Sequence, residues 1–336
     1  KPKFSGLFPT MTSRINSPLV KYTVNEQLQS GSFTWKHMGG EDDPNAPHEI
    51  AFDEGMLISG AHTSESTEVP SLVTGTMYRI TFEGMDLAGN VGKKLIMNIV
   101  YDDIPPALEL LYPEKDMIVN NTMLAYKISE GLTEGTIVYT QTGGNSDPMS
   151  PHSVKLRDLE LEVVQLSPAQ LSNSATLNDG SIYQVEFYGK DLAMNESSAP
   201  SIGNVLYDIT KPELSLTKPA PNKVMVGPNV SYAVTENLTS ATATFSRDGG
   251  NADVHSPHTI TFTNAELAAG DYLNINLANM PELSPGTEYT LTISGTDMAG
   301  NESNPATVTG ITYARSLEGN WYWQGPIMQV VWTFTP

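Results

Sequence analysis

Cysteine is absent from all 336 residues. That excludes disulfide scaffolds, thiol catalysis, iron–sulfur clusters and cysteine-based zinc sites, and it leaves the cellular compartment open. Basic charge is also scarce. Eighteen Lys and Arg stand against 38 Asp and Glu, a formal charge of −20, which argues against nucleic acid and anionic membrane as partners. Divalent cations suit such a chain better. No apolar run approaches the ~20 residues of a membrane span. Charged residues make up only 17%, too few for a helical bundle, while Thr, Ser, Asn, Gly and Pro abound, so the composition favours an all-β protein. Nucleophile elbow, P-loop, dinucleotide fingerprint and zinc-protease helix are all missing. The chain opens at Lys1-Pro2-Lys3 with neither an initiator Met nor a signal peptide, and reads as processed or excised.

What is present is a threefold repeat. Tyr22-Thr-Val-Asn-Glu26-Gln-Leu28 returns as Tyr126-Lys-Ile-Ser-Glu130-Gly-Leu132 and as Tyr232-Ala-Val-Thr-Glu236-Asn-Leu238. Gly39-Gly40, Asp43 and Pro47-His48 return as Gly143-Gly144, Asp147 and Pro151-His152, then as Gly249-Gly250, Asp253 and Pro257-His258. Gly84-Met-Asp86-Leu-Ala-Gly-Asn90 returns as Gly189-Lys-Asp191-Leu-Ala-Met-Asn195 and Gly295-Thr-Asp297-Met-Ala-Gly-Asn301. Three anchors kept in order and spacing imply three homologous domains, expected at 1–104, 105–210 and 211–314, with a separate segment at 315–336.

Within each copy the apolar residues alternate, as in half-buried strands: Val20, Tyr22 and Val24, then Phe33 and Trp35, then Tyr78, Ile80 and Phe82 in the first. Gly, Pro, Asn and Asp punctuate these runs as in a sandwich. The stretches Leu72-Val-Thr-Gly75-Thr-Met-Tyr78, Leu177-Asn-Asp-Gly180-Ser-Ile-Tyr183 and Leu283-Ser-Pro-Gly286-Thr-Glu-Tyr289 share the form Leu-x-x-Gly-x-x-Tyr. This resembles the tyrosine corner of Greek-key sandwiches. Trp35, Tyr139 and Phe245 take the position of the buried Trp of immunoglobulin domains. With the Asp-x-Ala-Gly-Asn turns, residues 1 to 314 resemble the tandem bacterial immunoglobulin-like, or fibronectin III-like, repeats of large surface proteins. The resemblance implies three Greek-key β-sandwiches in an elongated rod, and it fixes architecture rather than function.

Tyr101-Asp102-Asp103-Ile104-Pro105-Pro106 and Tyr207-Asp208-Ile-Thr-Lys211-Pro212 read as short, proline-stiffened linkers. Lys1-Pro2 matches Lys211-Pro212, so a preceding domain or cleavable leader is expected upstream. The topology gathers Asp102 and Asp103 with Glu130, Asp191 and Asn195 at the first linker. At the second it gathers Asp208 with Glu236, Asp297 and Asn301. Calcium takes six to eight oxygen ligands, and acids crowded at one junction repel unless a cation joins them. The resemblance adds that cadherins and some bacterial adhesins rigidify linkers in this way. The competing reading is that Asp and Asn simply make tight turns. After Tyr313 comes Ala314-Arg315, with no acid.

His48, His152 and His258 each follow an Asp by five residues. A metal pair or an acid/base pair is one reading; the sequence favours a structural loop, since active sites are rarely triplicated. Five Asn-x-Ser/Thr sequons, at Asn120, Asn195, Asn229, Asn237 and Asn301, are what chance gives in so Ser- and Thr-rich a chain. The final 22 residues hold three of the four tryptophans and read as a Trp-rich β-hairpin, which alone cannot bury its aromatic surface. It is read either as the start of a further domain, since Gly319-Asn-Trp321 resembles the opening strand of lipocalin-like barrels, or as strands exchanged with a neighbouring subunit.

The expectation is therefore a non-enzymatic structural spacer of an extracellular bacterial surface protein: an adhesin shaft, stalk or filament subunit. Its partners are neighbouring domains or subunits of the same protein, and its candidate ion is calcium. A ligand-binding adhesion module for a glycan or protein, or accessory domains of a secreted enzyme, are the alternatives.

Overall fold

In a computed structural model the described residues are all but 65–68, 163–166, 228, 316–318, 325–328 and 335–336, and side chains are described as far as residue 315. In the first copy the strands are β1 (Phe4–Phe8), β2 (Arg14–Ile15), β3 (Lys21–Val24), β4 (Leu28–Gly40), β5 (His48–Ala51), β6 (Gly60–Thr63), β7 (Thr76–Asp86) and β8 (Val91–Tyr101). They form a five-stranded sheet in the order β2-β8-β7-β4-β5 and a three-stranded sheet in the order β1-β3-β6. The entering chain serves both: β1 pairs antiparallel with β3, whereas β2 runs parallel to β8. Two sheets, antiparallel except for that β2–β8 edge pair and served by one entering segment, give the immunoglobulin-like sandwich that the sequence leads one to expect.

The third copy repeats this plan with β16 (Leu214–Lys218), β17 (Val224–Val226), β18 (Asn229–Val234), β19 (Leu238–Gly250), β20 (His258–Thr261), β21 (Gly270–Asn276), β22 (Thr287–Asp297) and β23 (Ala306–Ala314). In the second copy, β10 (Ile118–Val119), β15 (Ser201–Tyr207), β14 (Ser181–Asp191), β12 (Leu132–Gly144) and β13 (His152–Lys155) make the larger sheet. Its smaller sheet has only β9 (Leu108–Tyr112) and β11 (Ala125–Ile128) among the described residues. A short 3₁₀ turn at Asp158–Leu161 matches one at Asn264–Glu266 in the third copy, and a bridge joins Leu124 to Ala169. The tail forms β24 (Gly319–Gln324) and β25 (Gln329–Phe334), paired to each other.

The period-two pattern explains the cores. In β7 every second residue from Thr76 to Asp86 is buried, and β14 and β22 do the same. Three separate apolar clusters result. Trp35 is fully buried and meets Tyr78 edge-on, with ring centroids 5.8 Å apart at 89°. Tyr139–Tyr183 and Phe245–Tyr289 repeat that T-shaped contact at 6.4 and 6.2 Å, a geometry favoured by ring quadrupoles. The tyrosines of β3, β11 and β18 are tied across the core, because Tyr22, Tyr126 and Tyr232 donate their hydroxyls to the carbonyls of Met56, Glu160 and Glu266 at 2.9–3.0 Å.

Phe82 is fully buried, and its ring meets Phe4, Tyr22 and Phe33. Phe82→Ala is expected to cost about 3–5 kcal/mol. Amide exchange should show lost protection in β4 and β7 with β14 and β22 unchanged.

Candidate functional site

Two constellations recur in every copy. In the first, a buried carboxylate ties a loop to a strand and a corner. Asp43 meets His48 Nε2 at 2.6 Å, accepts the Tyr78 hydroxyl at 2.6 Å and accepts the Asn45 N–H at 3.0 Å. The Tyr78 oxygen in turn accepts the N–H of Val73 at 3.0 Å. Asp147, His152 and Tyr183 repeat this, with 2.6 Å to the histidine, 2.5 Å to the tyrosine, and Asn178 N–H on the phenol at 2.9 Å. So do Asp253, His258 and Tyr289, with Ser284 N–H at 3.0 Å. The tyrosine corner lies where the sequence puts it. That the Gly-Gly…Asp…Pro-His box supplies the acceptor for that tyrosine was not legible; the signal was the joint recurrence of the two motifs.

Electrostatics follow from these bonds. Burial pushes the Asp43 carboxyl up, but Tyr78 and His48 pull it below the ordinary carboxylate range. Tyr183 lowers Asp147 and Tyr289 lowers Asp253, the histidines adding to both. Tyr78 is pushed up to about 12, by burial first and by Asp43 next. Both oxygens of the carboxylate are thus engaged by the fold in each of the three copies.

The second constellation lies at the junctions. Asp191 Oδ1 accepts the N–H groups of Ala193 and Asn195 at 2.7 and 2.9 Å, closing the turn after β14. Asn195 Nδ2 donates to Asp191 Oδ2 at 2.8 Å, and also to the linker carbonyls of Asp102 at 2.9 Å and Ile104 at 3.4 Å. At the next junction Asn301 Nδ2 donates to Asp297 Oδ2 at 2.8 Å and to the carbonyls of Asp208 and Thr210 at 2.9 and 3.1 Å. Asn301 Oδ1 accepts Asn120 Nδ2 from the preceding copy at 3.1 Å.

The carboxylates converge as well. Asp102, Glu130 and Asp191 each bring an oxygen within 4.8 Å of the others, and Asp208, Glu236 and Asp297 do likewise. Burial pushes the Glu130 carboxyl up, Asp102 and Asp191 add to the rise, and Arg14 opposes it. The Arg14 guanidinium lies 3.5 Å from Asp102. At the second junction burial raises Asp208 and Glu236, with Asp297 and Asp179 contributing to both.

Two of the expected residue types take other roles. Asp103 stands outside the first cluster, exposed, with its carboxylate on the Tyr101 hydroxyl at 3.3 Å. Asn195 and Asn301 present N–H rather than oxygen to the acidic groups, because the amide is used to hold the linker.

Residues 171–314 match the family model for the bacterial Ig-like domain (group 3). Among solved structures, the chain is similar to the FN1–FN3 domains of chicken CNTN1, at 12% identity over 92% of this chain and 98% of that one, with a TM-score of 0.30. It is similar to a 1.5-MDa bacterial ice-binding adhesin at 14% identity over 94% and 98%, TM-score 0.31. The fibronectin(III)-like modules of Clostridium thermocellum CbhA match at 10% identity over 62% and 94%, TM-score 0.31. No curated protein matches. The family match thus covers the third copy and the end of the second, and the threefold repeat relates the first copy to them.

Tyr289→Phe removes the donor to Asp253 and the acceptor for Ser284 N–H together. It should cost about 1.5–3 kcal/mol, the value of a hydrogen bond to a charged group. Because the folded Asp253 pKa lies below its unfolded value, the stability it confers is present above the ordinary carboxylate range. It is lost as pH falls through the folded value. Urea midpoints measured from neutral pH downward should show a flatter acid limb in Asp253→Asn than in the parent.

Proposed function

We propose that the chain is a non-enzymatic spacer of an extracellular bacterial surface protein, whose junctions between copies are stiffened by calcium. Bacterial Ig-like repeats are, in general, structural modules of extracellular proteins. The observation that carries the finer reading is the recurrence of one junction: an asparagine amide clipped to two linker carbonyls, beside three converging carboxylates, at both internal boundaries.

The donor chemistry fits a hard cation. Carboxylate oxygens are the ligands calcium prefers, and burial first, neighbouring carboxylates next, raise Glu130, Asp208 and Glu236. A positive group already lies against one of these acids, the Arg14 guanidinium 3.5 Å from Asp102. Asp102, Glu130 and Asp191 would hold one ion, and Asp208, Glu236 and Asp297 another; the ion supplies positive charge that joins two copies. The chain's own residues do the rest. Asn195 and Asn301 fix the linker path, Pro105 and Pro106 restrict its dihedrals, and each sandwich resists extension through its ladders. A spacer needs such junctions and no site peculiar to one copy.

The test is calorimetric titration with calcium, together with electron microscopy in calcium and after chelation. Two binding events and straighter particles in calcium are expected, with Asp191→Asn and Asp297→Asn each removing one event. Saturation at a hundred times Kd should stabilise the protein by about 2.7 kcal/mol per ion. Affinity should fall as pH drops through the raised values of Glu130, Glu236 and Asp208, since protons then compete for the ligands. Heatless titration with unchanged particle shape would exclude calcium, and flexible, unaligned lobes in both conditions would exclude the spacer.

A further inference from the structure

Among the described residues, the larger sheet of each copy ends in an unpaired edge: β5, β13 and β20. Their outward backbone groups follow from parity. Leu156 N–H bonds Gly135 O and Phe52 N–H bonds Gly31 O, so Val154 and Ile50 face the sheet. Ser153, Lys155, Glu49 and Ala51 therefore turn their N–H and C=O outward. Such edges are templates for another strand unless blocked.

What distinguishes the three edges is charge. Register makes Ala51, Lys155 and Thr261 equivalent. The first edge carries Glu49 and is followed by Asp53. The second carries Lys155 and is followed by Arg157, and the third has Thr259 and Thr261. Lys155 and Arg157 are exposed and make no ion pair among the described residues. Beside β13 runs an open groove of about 860 Å³, walled on its far side by residues 173–176 and lined by no acidic residue, in a chain with 38. Across it, among the described residues, only Asn173 Nδ2 reaches the edge, at Lys155 O, 3.2 Å away.

We propose that β13 is the docking edge for β5 of a second copy of this chain. Antiparallel pairing with Glu49 of one molecule opposite Lys155 of the other sets Ala51 against Ser153. It brings Arg157 into diagonal reach of Glu49. The added strand completes the ladder of both sheets and takes the place of the Asn173 contact. Because the two surfaces differ, the contact is heterologous, and it leaves a free β5 and a free β13 at the ends of every assembly. Lengthwise joining within one chain and lateral joining between chains then use different parts of the fold.

The experiment is analytical ultracentrifugation of the full chain at low salt in chelator, so that calcium at the junctions plays no part. Reversible, concentration-dependent growth beyond the dimer is expected, weakening as salt rises. Glu49→Lys and Lys155→Glu should each raise the apparent dissociation constant roughly tenfold. The double variant, with both charges exchanged, should restore the parent value. Far-ultraviolet circular dichroism checks that each variant is folded. As a measurement independent of any variant, amide exchange at Ser153 and Lys155 should slow as concentration rises. A monomer at all concentrations, single reversals without effect, a double variant that stays weak, or exchange independent of concentration would each overturn the proposal.

Discussion

The buried carboxylate of Asp43, Asp147 and Asp253 is the interaction on which each sandwich depends. Without cysteine, no covalent bond staples the larger sheet to the loops that cross it. A single carboxylate does this work by drawing in a histidine that begins the edge strand and a tyrosine from the central strand. The same tyrosine fixes the backbone of its own corner. Three segments distant in sequence thus share one acceptor. Burial makes the ionised acid costly, and the convergence of donors is what keeps it ionised. Loss of one partner leaves the others without a counterpart, so the motif is kept whole or lost whole.

Junction and core are linked through the same strands. β7, β14 and β22 begin near the tyrosine corner and end at Asp86, Asp191 and Asp297, which cap the turns facing the entering linker. One strand therefore carries the corner that closes the sandwich and the carboxylate that receives the neighbour. Eleven residues of alternating burial hold these two functions at a fixed separation, so the orientation of each junction is inherited from the rigidity of a core strand.

Much of this was readable from residue patterns alone. Period-two alternation places Tyr22, Phe33, Trp35, Tyr78 and Phe82 inside, and all five are buried. Leu-x-x-Gly-x-x-Tyr marks the corner because its hydrogen bond is local in sequence. What escaped was long range or copy-specific. Asp43 and Tyr78 are 35 residues apart, and no local rule says that the donor of one motif seeks the acceptor of the other. Asn195 was expected to offer oxygen, as an asparagine near acids can; its amide faces the linker carbonyls because three acceptors already surround it. Asp103 neighbours Asp102 in sequence, but along an extended chain successive side chains point opposite ways, and only Asp102 turns inward.

The junction is also divided between neighbours. Its linker carboxylate and carbonyls come from the end of one copy, while its Glu, Asp and Asn come from the start and last turn of the next. The first two repeats thus carry half a joint at each end, and the third carries one at its start. Duplicating or deleting one whole unit by recombination between repeats regenerates a complete joint at the seam without any compensating substitution. Array length becomes a quantity that a lineage changes in steps of about one hundred residues, while the chemistry of each seam stays constant.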